Sequence, residues 1–234
     1  MILDLLRTIM NGGELGGDYA VRAMVQLIAL AFVLLCCLPV HEFAHAWMAN
    51  RLGDQTPRLA GRLTLNPFAH LDLWGTLLIL FAGVGYAKPV PVNPRNMSKG
   101  SKKGLALTAL AGPVSNLIMA LLFLLIANTL NFFNSGGNGA LILAVSFLDF
   151  AADVNIMLAS FNMLPVPPLD GFNILQAFLP YEALRFVSKY HSYVRWALLA
   201  LVFMGLLDLP LGLISRLFSF VVDLIAGLPF MFFR

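Results

Sequence analysis

The stretch Leu34-Leu35-Cys36-Cys37-Leu38-Pro39-Val40-His41-Glu42-Phe43-Ala44-His45 joins an apolar run to a His-Glu-x-x-His motif. The run begins near Tyr19, and its length marks it as a membrane-crossing helix. Residues four apart share a helix face, so the imidazoles of His41 and His45 lie one turn apart, as in metal-binding helices. Glu42 follows the first of them, where its carboxylate can reach a metal-bound water. Ionisable groups inside a transmembrane segment are costly, and their presence there points to a functional site. Pro39 deletes one backbone hydrogen bond and is expected to kink the helix just before the motif.

Composition carries the membrane reading to the whole chain. Of 234 residues, 59% are hydrophobic and 12% charged, about half the charged share of a soluble domain. Mean hydropathy is +0.83. Lipid offers the backbone no hydrogen-bond partners, so the spanning parts are helices. The expected fold class is an all-α polytopic membrane protein with about five to six transmembrane helices plus a re-entrant, β-like element. The net charge of +3 is spread along the chain without a dense basic block. That favours cytoplasmic Lys/Arg anchoring over a nucleic-acid partner. Cys36 and Cys37 are adjacent and lack a CxxC spacing, so they read as small packing residues. No basic region followed by an apolar core and a cleavage site opens the chain, so the first span is expected to serve as the insertion signal.

Taken in order, residues 1–18 read as an interfacial N-terminal segment with a glycine-rich hinge. The first span is followed by Arg51, Arg58 and Arg62 against the single acid Asp54, which places that end in the cytoplasm. Gly61-Arg62-Leu63-Thr64-Leu65-Asn66-Pro67 suits a short strand or turn. Leu71 to Tyr86 is apolar but only roughly 16 residues long, too short to cross and return. Basic residues flank it on both sides, so a re-entrant loop turning near Gly83-Val84-Gly85 is expected. The alternating prolines of Lys88-Pro89-Val90-Pro91-Val92-Asn93-Pro94 forbid helix, leaving an extended segment able to pair with an unwound substrate strand. Residues 105–130 form a span, 131–139 an uncharged external loop, and 141–164 a returning span that carries Asp149, Asp153 and Asn155. After a cytoplasmic linker, 196–233 is expected to form a helical hairpin broken at Asp208-Leu209-Pro210. The chain thus reads as a single membrane-embedded domain, 1–234, whose core is 20–180.

A catalytic zinc site takes three protein ligands and leaves one position for water. Asp170 is the candidate third ligand, because the topology returns it to the side that holds His41 and His45. Prolines before it enforce a stiff bend, and Gly171 permits close backbone approach. The alternative makes Asp170 a helix N-cap. Two partnered structural histidines are the alternative for the motif itself, but burying them without a task is costly. Asp149 and Asp153, one turn apart, either support a ligand histidine or face a wet cavity or a basic residue such as Arg22. His70 either touches the site or sits at the loop interface.

The paired motifs His41-Glu42-Phe43-Ala44-His45 and Asn162-Met163-Leu164-Pro165-Val166-Pro167-Pro168-Leu169-Asp170-Gly171 resemble the site-2 protease family of intramembrane zinc metalloproteases. Gly61 to Pro67, Lys88 to Pro94 and Gly112-Pro113-Val114-Ser115-Asn116 are similar to its compact bacterial branch. Phe172 departs from the second glycine common after Asp-Gly. The length leaves no room for a PDZ-like insert or a CBS-type domain. The resemblance implies one zinc per chain held by His41, His45 and Asp170, with Glu42 as general base and Asn116 as hydrogen-bond donor to the oxyanion. It also implies cleavage of transmembrane protein substrates near the cytoplasmic face, in the bacterial inner or plasma membrane. A metal transporter using the same groups as transit ligands is the competing class. It would favour inverted repeats and a midplane site, and the sequence has neither.

Overall fold

The computed structural model describes residues 17–72, 75, 88–98, 100–134, 137–180, 182–185 and 191–231. Helix α1, Gly17–Phe32, passes through a π-helical turn, Val33–Cys37, into α2, Leu38–Arg51. The bend expected at Pro39 takes this form. Pro39 has no N–H to offer the carbonyl four residues earlier, and the wider turn just upstream absorbs the mismatch, with the Leu38 N–H bonded to the Val33 carbonyl.

Two short helices follow, α3 (Thr56–Leu59) and α4 (Pro67–His70). Between them Gly61 to Pro67 is a turn rather than a strand. Asn66 Oδ1 accepts the Phe68 N–H at 3.1 Å, which caps α4, and Arg62 donates to the Ala69 carbonyl. Lys88 to Asn93 is free of helix, as its prolines require, and leads into a 3-10 turn, Pro94–Asn96. No strand occurs among the described residues, and the predicted re-entrant turn near Gly83-Val84-Gly85 lies outside them.

The remaining elements are α5 (Ser101–Phe133), α6 (Gly139–Asn162), α7 (Asp170–Leu175), α8 (His191–Phe203) and α9 (Asp208–Met231). Four helices among the described residues are long and apolar enough to cross a membrane: Ala20–Arg51, Ser101–Phe133, Gly139–Asn162 and Asp208–Met231. The described part of α8, 13 residues, covers about 20 Å of the ~30 Å hydrocarbon core. The break before α9 falls earlier than expected. Gly205, at φ +69°, ends the preceding turn. Pro210 lies in the first turn of α9, where its missing N–H costs nothing.

Helix α5 is the hub and packs against α2, α6, α7 and α9. Its inner face carries Thr108, Gly112, Asn116, Ala120 and Ala127, all buried. Leu107, Leu110, Val114, Ile118, Leu122 and Ile126 recur at helical spacing on the opposite, exposed face. Small residues let helices approach closely where lipid removes the usual hydrophobic drive. Cys37, Ala120, Ala151 and Ala152, all fully buried, supply that contact between α5, α6 and the π-turn. Cys37 is therefore the packing residue expected, while Cys36 is exposed.

Candidate metal centre

His41 and His45 project from one face of α2 and are both buried. Asp170 reaches them from the opposite side, as the first residue of α7. Leu169, not Asp170, occupies the N-cap position, so the capping alternative is not the one adopted. The bend that delivers Asp170 depends on Gly171. A Cβ there would lie 2.6 Å from the Leu164 carbonyl oxygen and closer still to that of Met163, so only glycine fits.

Asp170 Oδ2 lies 3.4 Å from His41 Nε2 and 3.2 Å from His45 Nε2. The two ring nitrogens are 3.1 Å apart. His45 Nδ1 donates to the Thr108 carbonyl at 2.7 Å, which leaves Nε2 of the neutral ring as a lone-pair donor facing the other two atoms. Three electron-rich atoms converging in a buried space call for a cation among them. Among the described residues this is the one group of three His, Cys, Asp or Glu ligands able to hold a metal.

Helix α5 forms the third wall. Gly112 lies directly against both imidazoles. Asn116, one turn further along the same face, is fully buried, and neither of its amide atoms has a partner among the described residues. A buried amide with nothing to bind is costly unless a ligand or water meets it. Glu42, half-buried, directly follows His41 on α2.

The structure thus brings His41, His45 and Asp170 together, with Glu42 adjacent and Asn116 on the wall that touches the histidines. His70 belongs elsewhere. It is fully buried, with Nε2 donating to the Thr64 carbonyl at 2.8 Å, and so braces the loop before α4. Asp149 and Asp153 face Asp223 of α9 rather than a ligand histidine. The supporting contact to His45 comes instead from a backbone carbonyl, which no side-chain pattern announces. Asp54 was also missed. In the sequence it stands only as an acid among arginines, whereas it is fully buried and hydrogen-bonded to Thr56, Asn93 and Asn96. The one signal for it is the Asp-x-Thr spacing, a common local turn.

Two buried imidazoles and a carboxylate, set among helices of membrane length, are what a metal-dependent membrane enzyme requires. The profile of peptidase family M50 matches residues 29–139 and 129–206. The chain belongs to that family, the site-2 proteases. It is 39% identical over 191 residues to YwhC of Bacillus subtilis, provisionally named a zinc metalloprotease, covering 78% of this chain and 81% of the relative. It is 35% identical over 183 residues to Rip2 of Mycobacterium tuberculosis, named in the same provisional way, covering 76% of this chain and 66% of the relative. A zinc metalloprotease of Methanocaldococcus jannaschii is 26% identical over 71% of this chain and 37% of its own length. No solved structure matches the chain significantly.

Proposed function

We propose that this protein is an intramembrane zinc endopeptidase that hydrolyses peptide bonds within transmembrane segments of other membrane proteins, near the cytoplasmic face. The observation that carries the reading is the convergence of His41 Nε2, His45 Nε2 and Asp170 Oδ2 within 3.4 Å of one another in a buried pocket. Two imidazoles and one carboxylate are a donor set suited to catalytic zinc. When bound, zinc supplies a Lewis acid that makes water nucleophilic near neutral pH.

The protein groups do the rest. Glu42 takes the proton of the attacking water and delivers it to the leaving amine. The free Asn116 amide donates to the carbonyl oxygen as charge develops on it. The Thr108 carbonyl holds the His45 ring in one tautomer and orientation. A helical substrate must unwind first, since its carbonyls are bonded within the helix. The helix-free segment Lys88 to Asn93 then receives the unwound strand by edge pairing. Arg51 at the end of α2, Arg58, Lys88 and Arg95 in the stretch that follows, and Lys102 and Lys103 in the first turn of α5 support a site towards the cytoplasm of a cell membrane.

The test uses purified protein and a single-span reporter. Glu42→Gln keeps about one zinc per chain and loses cleavage by about 100-fold or more. Asp170→Ala loses the zinc. Unchanged cleavage by Glu42→Gln would remove Glu42 as the base, and full zinc occupancy in Asp170→Ala would remove Asp170 as a ligand.

A further inference from the structure

Asp54 lies just beyond the first span, fully buried, with no charged group among its partners in the described residues. It accepts four hydrogen bonds: from Thr56 Oγ1 at 2.5 Å and the Thr56 N–H at 3.1 Å, from the Asn93 N–H at 2.7 Å, and from Asn96 Nδ2 at 3.3 Å. Two of these donors stand 39 and 42 residues further along the chain. The carboxylate therefore fastens the Asn93–Asn96 region to the end of the helix that carries the histidines.

Its neighbours serve the same attachment. The Ser98 N–H bonds the Leu52 carbonyl at 2.8 Å. Met97 is buried against Ala49 and Leu52, and Ala49 lies one turn past His45 on α2. Gly53 adopts φ +104° so that the chain can turn beneath the Asn96 carbonyl, where a Cβ would sit only 3.1 Å away. At the other end, the Lys88 N–H bonds the His70 carbonyl at 2.7 Å. The segment is pinned at both ends.

Between the pins the backbone offers one usable edge. In an extended chain, successive residues turn their N–H and C=O groups to opposite sides. Pro89 and Pro91 have no N–H, and the N–H of Asn93 is held by Asp54, so the edge they share offers no free donor. The opposite edge belongs to Val90 and Val92, whose N–H groups have no partner among the described residues.

We propose that Asp54 is a positioning residue for substrate: by taking the Asn93 N–H it fixes the register of Lys88 to Asn93 and presents Val90 and Val92 to a single extended peptide strand. The inference rests on the protease reading and adds how its substrate strand is held. Asp54 touches neither the metal ligands nor the scissile bond, so it acts on substrate binding rather than on the chemical step.

Full-length protein in lipid vesicles tests this, with a fluorophore-labelled single-span reporter carrying a helix-weakening Asn-Gly pair near its cytoplasmic end. In the Glu42→Gln background, Asp54→Asn is expected to weaken reporter binding about 10-fold. The milder Thr56→Val, which removes one hydroxyl donor, is expected to weaken it about 3-fold. With Glu42 intact, KM rises by the same factors, kcat stays within about twofold, and zinc content is unchanged. A fall in kcat at constant KM, unchanged binding and KM in both variants, or loss of zinc from both would overturn the role. If wild type fails to cleave but Asp54→Asn still weakens binding, the protease reading fails and the clamp stands. If cleavage requires Glu42 but neither Kd nor KM moves, the clamp alone fails.

Discussion

Gly112 shapes the candidate metal centre by having no side chain. A Cβ at that position would lie 2.5 Å from His45 Cε1 and 2.6 Å from His41 Cε1, distances that force a ring to move. Neither ring can retreat freely, because His45 is tethered to Thr108 and both are enclosed by α2 and α7. Gly112→Ala is therefore expected to fold with unchanged helix content and to bind zinc at least ~10-fold more weakly, as measured by competition with a chelator. Wild-type affinity would mean that the imidazoles are held by other contacts. The residues legible in the sequence were those whose side-chain chemistry is specific: two imidazoles at helical spacing, and a carboxylate in a proline-rich bend. Gly112 was visible as part of a motif but not as the wall of the site, because its contact depends on how closely α5 approaches α2. Thr108 acts through its carbonyl, and any residue there carries one.

The elements were legible in kind, but less so in their joints. Pro39 announced a bend, yet whether a kink or a π-turn results depends on which carbonyl finds a donor over the whole turn. The break expected at Asp208-Leu209-Pro210 lies just before it, around Gly205, because proline is tolerated in a first turn and a left-handed glycine is not helical. Lys88 to Asn93 was legible as non-helical from its prolines, while its attachment to Asp54 is a long-range contact without periodicity. That attachment has a pH dependence of defined sign. Burial opposes ionisation of Asp54, but hydrogen bonds from Thr56, Asn93 and Asn96 outweigh it and hold its pKa below the ordinary carboxylate value. A depressed folded-state pKa stabilises the docked segment above the unfolded value of ~4, and that contribution disappears as pH falls through the folded-state pKa. Hydrogen exchange should therefore show the Asn93 and Ser98 amides protected at pH 6 to 7, with protection declining below about pH 4 in wild type. Asp54→Asn should show weaker protection with no such decline. Protection that is flat with pH in wild type would mean that the carboxylate does not hold the segment.

In the whole molecule, polarity is arranged for lipid: large aliphatic side chains face outward from α5, while glycine, alanine, threonine and asparagine face inward around the ligands. The site can therefore be polar and still lie within membrane-length helices. The long axis of α5 sets the orientation to be tested, since its 33 residues span about 50 Å from Ser101 to Phe133. Lys102 and Lys103 stand at its start, near the end of α2 and its Arg51, whereas the connection after its far end, 134–138, carries no charge. Positive charge on the short loops predicts that the Lys102 end, with Arg58, faces the cytoplasm and Asn138 the outside. In a Cys36→Ala, Cys37→Ala background, an impermeant maleimide applied to spheroplasts should label Asn138→Cys and spare Arg58→Cys and Lys102→Cys. Inverted vesicles should give the opposite pattern, with at least ~10-fold contrast in each case. Labelling of all three from the outside of intact spheroplasts would overturn α5 as a span. A clean reversal would keep the fold but move the metal centre to the external face, and with it the side of the membrane from which a substrate segment would be cut.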